Sequence, residues 1–83
     1  MTKESVNYIE DIIKAMNDAL SFVKDMDYVV FIEDNRTTYA VIRALEIIGE
    51  ATKKVPPSIK DEYSQIPWKK MAGMRDKLIH EYF

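Results

Sequence analysis

Apolar residues recur at intervals of three and four over most of the chain, the spacing of one face of an α-helix rather than the alternation of a strand. Val6, Ile9, Ile12, Ile13, Met16, Leu20 and Val23 make the first such stripe, with Thr2 or Ser5 as its candidate N-cap. Beyond Asp25, the residues Tyr28 to Ile32 have high strand propensity, but a lone strand would have nothing to pair with. A short helix from Asp27 to Glu33, capped by Asp27, is therefore expected. A second long helix is predicted from about Asn35 to Lys54. Ala40, Val41, Ala44, Leu45, Ile47, Ile48 and Ala51, with Ile42 at the edge, cover roughly 200° of its wheel. An arc that wide needs neighbours on more than one side, so this helix should be central. Val55-Pro56-Pro57 ends it, because proline cannot continue a helix and restricts the residue before it. Ser58 is then expected to cap a short helix with Asp61 in its first turn, and Pro67 to take the first position of a last helix, Trp68 to about Tyr82.

These elements make one all-α domain, with no internal repeat and no linker long enough to divide it. At 83 residues it is small, and a domain of this size buries only about 60% of the surface its unfolded chain exposes. Stability alone thus makes a partner subunit plausible. The chain has no cysteine and a single histidine, His80, which removes disulfides, thiolate metal sites and multi-histidine zinc sites. The expectation is a protein without metal or other cofactor. No apolar run is long enough to span a bilayer, and no signal-peptide order opens the chain, so the expected location is the cytoplasm.

A net charge of −2 argues against a general nucleic-acid binder. The charge is unevenly spread, however. Residues 1–35 hold three lysines against eight acids, whereas residues 36–83 hold nine basic residues against six acids. On the central helix the face opposite the apolar arc carries Arg36, Arg43 and Glu50 at spacings of seven, flanked by Tyr39 and Glu46. It reads either as a solvated face or as a stripe for a dimer mate or RNA.

The last helix departs from a plain bundle pattern. Its predicted apolar stripe, centred near Trp68, takes in Met71, Ala72, Leu78, Ile79 and Tyr82, and Arg75 lies within it. A guanidinium there snorkels outward, forms a structural ion pair, or offers its forked donors to a phosphate. His80 lies roughly 140° away on the same wheel, close to Gly73. A side-chain-free Gly73 leaves room for something to approach, although a surface histidine without a role is common. Histidine can take the proton of a ribose 2′-hydroxyl near neutral pH, and arginine can neutralise charge gathering on phosphorus oxygens. That pair needs no metal.

The stretch RTTYAVIRALEIIGEATKKVPPSIKDEYSQIPWKKMAGMRDKLIHEYF, from Arg36 to Phe83, resembles the HepT family of the HEPN superfamily. Its matching pieces are Arg36-Thr37, the run from Val41 to Ala51, Ile66-Pro67-Trp68, and Gly73-Met74-Arg75 followed by His80-Glu81-Tyr82-Phe83. The Arg-x-x-x-x-His-x-Tyr element, Arg75 to Tyr82, is the defining motif of that family. The resemblance implies an antiparallel helical bundle of four to five helices that forms a homodimer, with Arg75 and His80 of both copies lining a shared cleft. It further implies a ribonuclease toxin, catalytic through Arg75 and His80; Arg36, Arg43, Lys69 and Gly73 are the candidate contacts to RNA or to a dimer mate. The implied partner is an antitoxin of the MntA type, a nucleotidyltransferase that adds AMP to Tyr82. Phosphate added there would oppose a site meant for an RNA phosphate. Members of the family usually continue for one more helix after the Tyr-Phe pair, so residues 1–83 are expected to form a single HEPN-like domain without the last helix. Two other readings remain open on the residues: a non-catalytic helical module that docks on a nucleotidyltransferase, and a structural bundle in which Arg75 pairs with an acid of its own subunit.

Overall fold

A computed structural model describes residues 1–82, apart from the side chains of Ile79, Glu81 and Tyr82. Five helices follow one another: α1 (Lys3–Phe22), α2 (Tyr28–Glu33), α3 (Asn35–Lys54), α4 (Pro57–Glu62) and α5 (Trp68–Tyr82). No strand occurs among the described residues. Local chemistry fixes most of the helix starts. Thr2 accepts the Ser5 N–H at the head of α1, Asp27 accepts that of Val30 at α2, and Asp34 accepts that of Thr37 at α3. Asp34 also takes the Thr37 hydroxyl, and Thr38 Oγ1 donates to the Phe31 carbonyl, tying α2 to the first turn of α3. Between α1 and α2 the chain turns through Asp25 at φ 63°, a left-handed conformation that aspartate tolerates.

The start of α4 moves two residues earlier than expected, while α5 begins at Trp68 as expected. Pro57, not a residue after Ser58, opens α4, and Ser58 makes no capping bond. The fixed φ of proline already suits the first helical position, where its missing N–H costs nothing. Pro67 in turn precedes α5 rather than opening it, and its carbonyl accepts the Met71 N–H.

As the wide apolar arc requires, α3 is central and packs against both α1 and α5. The core is Ile12 and Ala15 from α1, Ala44, Ile48 and Ala51 from α3, then Val55 and Ile59 on either side of the proline turn. Tyr8 sits beside Lys54, while Asp18 and Phe22 share a small groove with Ala40 and Arg43. The start of α1 therefore meets the end of α3, and the two helices run antiparallel. Thr52 is fully buried in this core, and its hydroxyl donates to the Ile48 carbonyl at 2.6 Å, so no polar group is stranded there.

On α5 the face turned to the core is Trp68, Met71 and Met74. Of these, Met74 lies outside the stripe expected around Trp68. On α1, Val6, Ile13, Met16 and Leu20 remain exposed, as do Tyr28, Val29, Val30 and Ile32 on α2. The single stripe read on α1 is thus two adjoining faces, of which α3 covers one. No helix among the described residues is long and apolar enough to cross a membrane.

Candidate functional site

α5 approaches α3 closely at Gly49. A Cβ built there would lie 2.9 Å from the Arg75 Cβ and 3.0 Å from its backbone N. Only a residue without a side chain admits α5 at this distance, so Gly49 sets the depth at which Arg75 leaves its helix. From that seam the arginine reaches a cluster of charges. Its Nε donates to Glu50 Oε1 at 3.3 Å, and its Nη1 donates to Asp76 Oδ1 at 3.4 Å. Arg43 Nη1 approaches the same Glu50 oxygen at 3.5 Å, and Lys53 grips both Asp76 oxygens at 2.8 and 2.9 Å. A chain of alternating charge, Arg43, Glu50, Arg75, Asp76 and Lys53, thus stitches α3 to α5.

The cluster resolves one of the alternatives read from the sequence. Arg75 does pair with acids of its own subunit. It also stays 37% exposed, and none of the described residues accepts a bond from its Nη2. Glu50, Lys53, Lys54 and Arg75 line a shallow basin of about 300 Å³ beside it. With Asp76 against Lys53 and Arg75, three cations stand against two carboxylates there, a small positive balance that suits a phosphate.

The remaining candidate residues stand apart. His80 is exposed on α5, and no hydrogen bond or ion pair joins it to Arg75 among the described residues. A Cβ on Gly73 would meet nothing within 4 Å, which agrees with open space on that side of the helix. Arg36 is exposed at the start of α3, Arg43 enters the charge cluster, and Lys69 lines an open groove at the α4 to α5 turn with Lys60 and Lys70. The side chain of Tyr82 lies outside the described residues, as does Phe83 of the motif.

Sequence reasoning missed Gly49, Lys53 and Asp76 as parts of this site. A glycine inside α3, five residues before its end at Lys54, was a usable signal for Gly49; the two charged residues gave none, because only the crossing of the helices pairs them.

Asp76 and Asp34 respond to pH in the same direction. Lys53 beside Asp76, and the Thr37 N–H on Asp34, hold each carboxyl below its ordinary value of 3.8. Each binds its proton less readily in the folded chain, so its stabilisation is complete above that value and lost as pH falls through the folded one. The melting temperature is expected to hold steady from pH 7 to about 5 and to fall below about 4. An Asp34→Asn, Asp76→Asn double variant should show a shallower fall in the same thermal scans.

A small all-helical domain whose arginine-to-histidine motif lies on a helix docked against a glycine is the class of protein described so far. Its residues 12–83 match the family described as ribonuclease HepT-like. A Methanocaldococcus jannaschii protein provisionally named an RNase is 55% identical over 76 residues, covering 92% of this chain and 66% of the relative. Another from the same organism, similarly named, is 51% identical over 92% of this chain and 63% of its own length. A Thermococcus cleftensis protein named "probable ribonuclease HepT" is 47% identical over the whole chain and 76% of the relative. The chain belongs to the HepT-like ribonuclease family, and it spans about two thirds of the length of the Methanocaldococcus relatives. No solved structure matches it.

Proposed function

We propose that this chain is a metal-independent ribonuclease, the toxin of a toxin-antitoxin pair, and that it works as a cytoplasmic homodimer. The observation that carries the reading is the family match over residues 12–83, which includes both Arg75 and His80. The positive basin beside Arg75 supports a phosphate there. His80 takes the proton of the ribose 2′-hydroxyl, the 2′-oxygen bonds to phosphorus, and the bond from phosphorus to the 5′-oxygen breaks. The departing oxygen is protonated by a general acid, His80 in turn or its copy in the partner subunit. Arg75 neutralises the charge that builds on the non-bridging oxygens. Since His80 and Arg75 leave α5 in different directions, a second copy is what supplies both groups to one phosphate. Silencing follows from AMP added to Tyr82 by a nucleotidyltransferase antitoxin, which places negative charge beside the site.

Purified chain incubated with bulk RNA in EDTA should cleave it, and His80→Ala should lower the rate by about 10²- to 10⁴-fold. Equal cleavage by both proteins would trace the activity to another site or to a contaminant and end the proposal.

A second reading draws on the exposed apolar residues of α1 and α2: a non-catalytic helical module that docks on a nucleotidyltransferase. Expression in a host cell separates the two. Growth arrest that His80→Ala relieves favours the ribonuclease, and harmless accumulation of folded chain favours docking.

A further inference from the structure

Of the five N–H donors on Arg75, two are held among the described residues, one on Nε by Glu50 and one on Nη1 by Asp76. Both carboxylates are themselves anchored by cations, Arg43 on Glu50 and Lys53 on Asp76. The base of the side chain is equally fixed, since its Cβ and backbone N rest against Gly49. A long arginine that would otherwise sample many rotamers is thus restrained at both ends, with no described residue on Nη2.

From this geometry we propose that Glu50 is a positioning residue for RNA cleavage: its carboxylate holds Arg75 by Nε and leaves Nη2 to meet the substrate phosphate in the basin formed with Lys53 and Lys54. The inference rests on the ribonuclease reading above. A carboxylate so close to a phosphate site weakens binding of the anion, so a role confined to substrate affinity would favour its absence. What Glu50 supplies is orientation, and misplacing a catalytic group by an ångström costs up to about 10²-fold in rate. Arg43 offsets part of the repulsion by sharing the same oxygen.

Glu50→Gln keeps an oxygen to accept from Nε but removes the charge, whereas Glu50→Ala removes both. With a labelled oligoribonucleotide, Glu50→Ala is expected to lose roughly 10- to 100-fold in kcat with KM no higher than wild type. Glu50→Gln should recover most of that loss. In an Arg75→Ala background, Glu50→Ala should add no further loss. Independently of activity, the Arg75 Nε–H resonance in ¹⁵N-resolved NMR should shift in Glu50→Ala and stay near its wild-type position in Glu50→Gln. A melting curve on each variant separates a positioning loss from unfolding. Equal kcat in wild type and Glu50→Ala, or equal loss in the Gln and Ala variants, would overturn the inference while leaving the ribonuclease reading intact. A wild-type chain without His80-dependent cleavage would defeat both.

Discussion

Alanine at position 75 is expected to slow RNA cleavage by about 10²- to 10³-fold, the usual cost of removing one preorganised donor from a developing oxyanion, while the chain stays folded. Stability should change little because the ion pairs of Arg75 are partly exposed, and such pairs contribute about 0 to 1 kcal/mol each. Nor does the substitution strand a buried charge: Glu50 keeps Arg43 and Asp76 keeps Lys53. At about 0.5 kcal/mol for each of the two pairs, the expected fall in melting temperature is about 4 to 8 °C for a domain of this size. Lysine at 75 should restore little of the rate, since a single ammonium cannot hold Glu50 and Asp76 and still present a donor to phosphate. Single-turnover cleavage measured beside thermal melting decides the matter. An Arg75→Ala protein that cleaves at the wild-type rate, or whose lost rate is matched by lost folded fraction, would reduce the arginine to a structural tie between α3 and α5.

That tie shows where sequence was sufficient and where it was not. The bounds of α3 and the cap Asp27 were legible because they depend on local chemistry: apolar periodicity, a carboxylate at a helix start, two prolines at the end. The central place of α3 was legible too, from the width of its apolar arc. The place of Met74 on the core side of α5 was not, since it lies outside the stripe read around Trp68 and packing decides it. Arg75 and His80 were picked out by the motif, and family membership follows from the match that contains them. Their surroundings could not be read in the same way. Pairing Glu50 with Arg75 and Lys53 with Asp76 spans more than twenty residues of chain, and only the crossing of two helices decides it. His80 differs: the wheel already sets it roughly 140° from Arg75, and the shared cleft comes only from the family resemblance.

The same substitution at the two glycines should have opposite effects, and that contrast tests the seam most directly. Gly73 faces open space in α5, so Gly73→Ala meets no neighbour and gains about 0.5 to 1 kcal/mol from helix propensity. Gly49 has the same propensity to gain, but its Cβ would press on Arg75 Cβ at 2.9 Å and on backbone at 3.0 Å. A flexible side-chain tip could yield; backbone cannot without moving α5 as a whole. Overpacking of that kind costs about 3 kcal/mol, which outweighs a propensity gain of about 1 kcal/mol. The net loss of about 2 kcal/mol corresponds to a melting temperature lower by roughly 8 to 16 °C. Displacing α5 also carries Arg75 away from Glu50, so cleavage by Gly49→Ala should fall further than its folded fraction does. Gly73→Ala, by contrast, should melt higher than wild type, and its cleavage rate reports separately on whether RNA comes close to that side of α5. A Gly49→Ala protein that melts at or above wild type would mean that α5 can back away from α3 without penalty, and the fixed seat assigned to Arg75 would go with it.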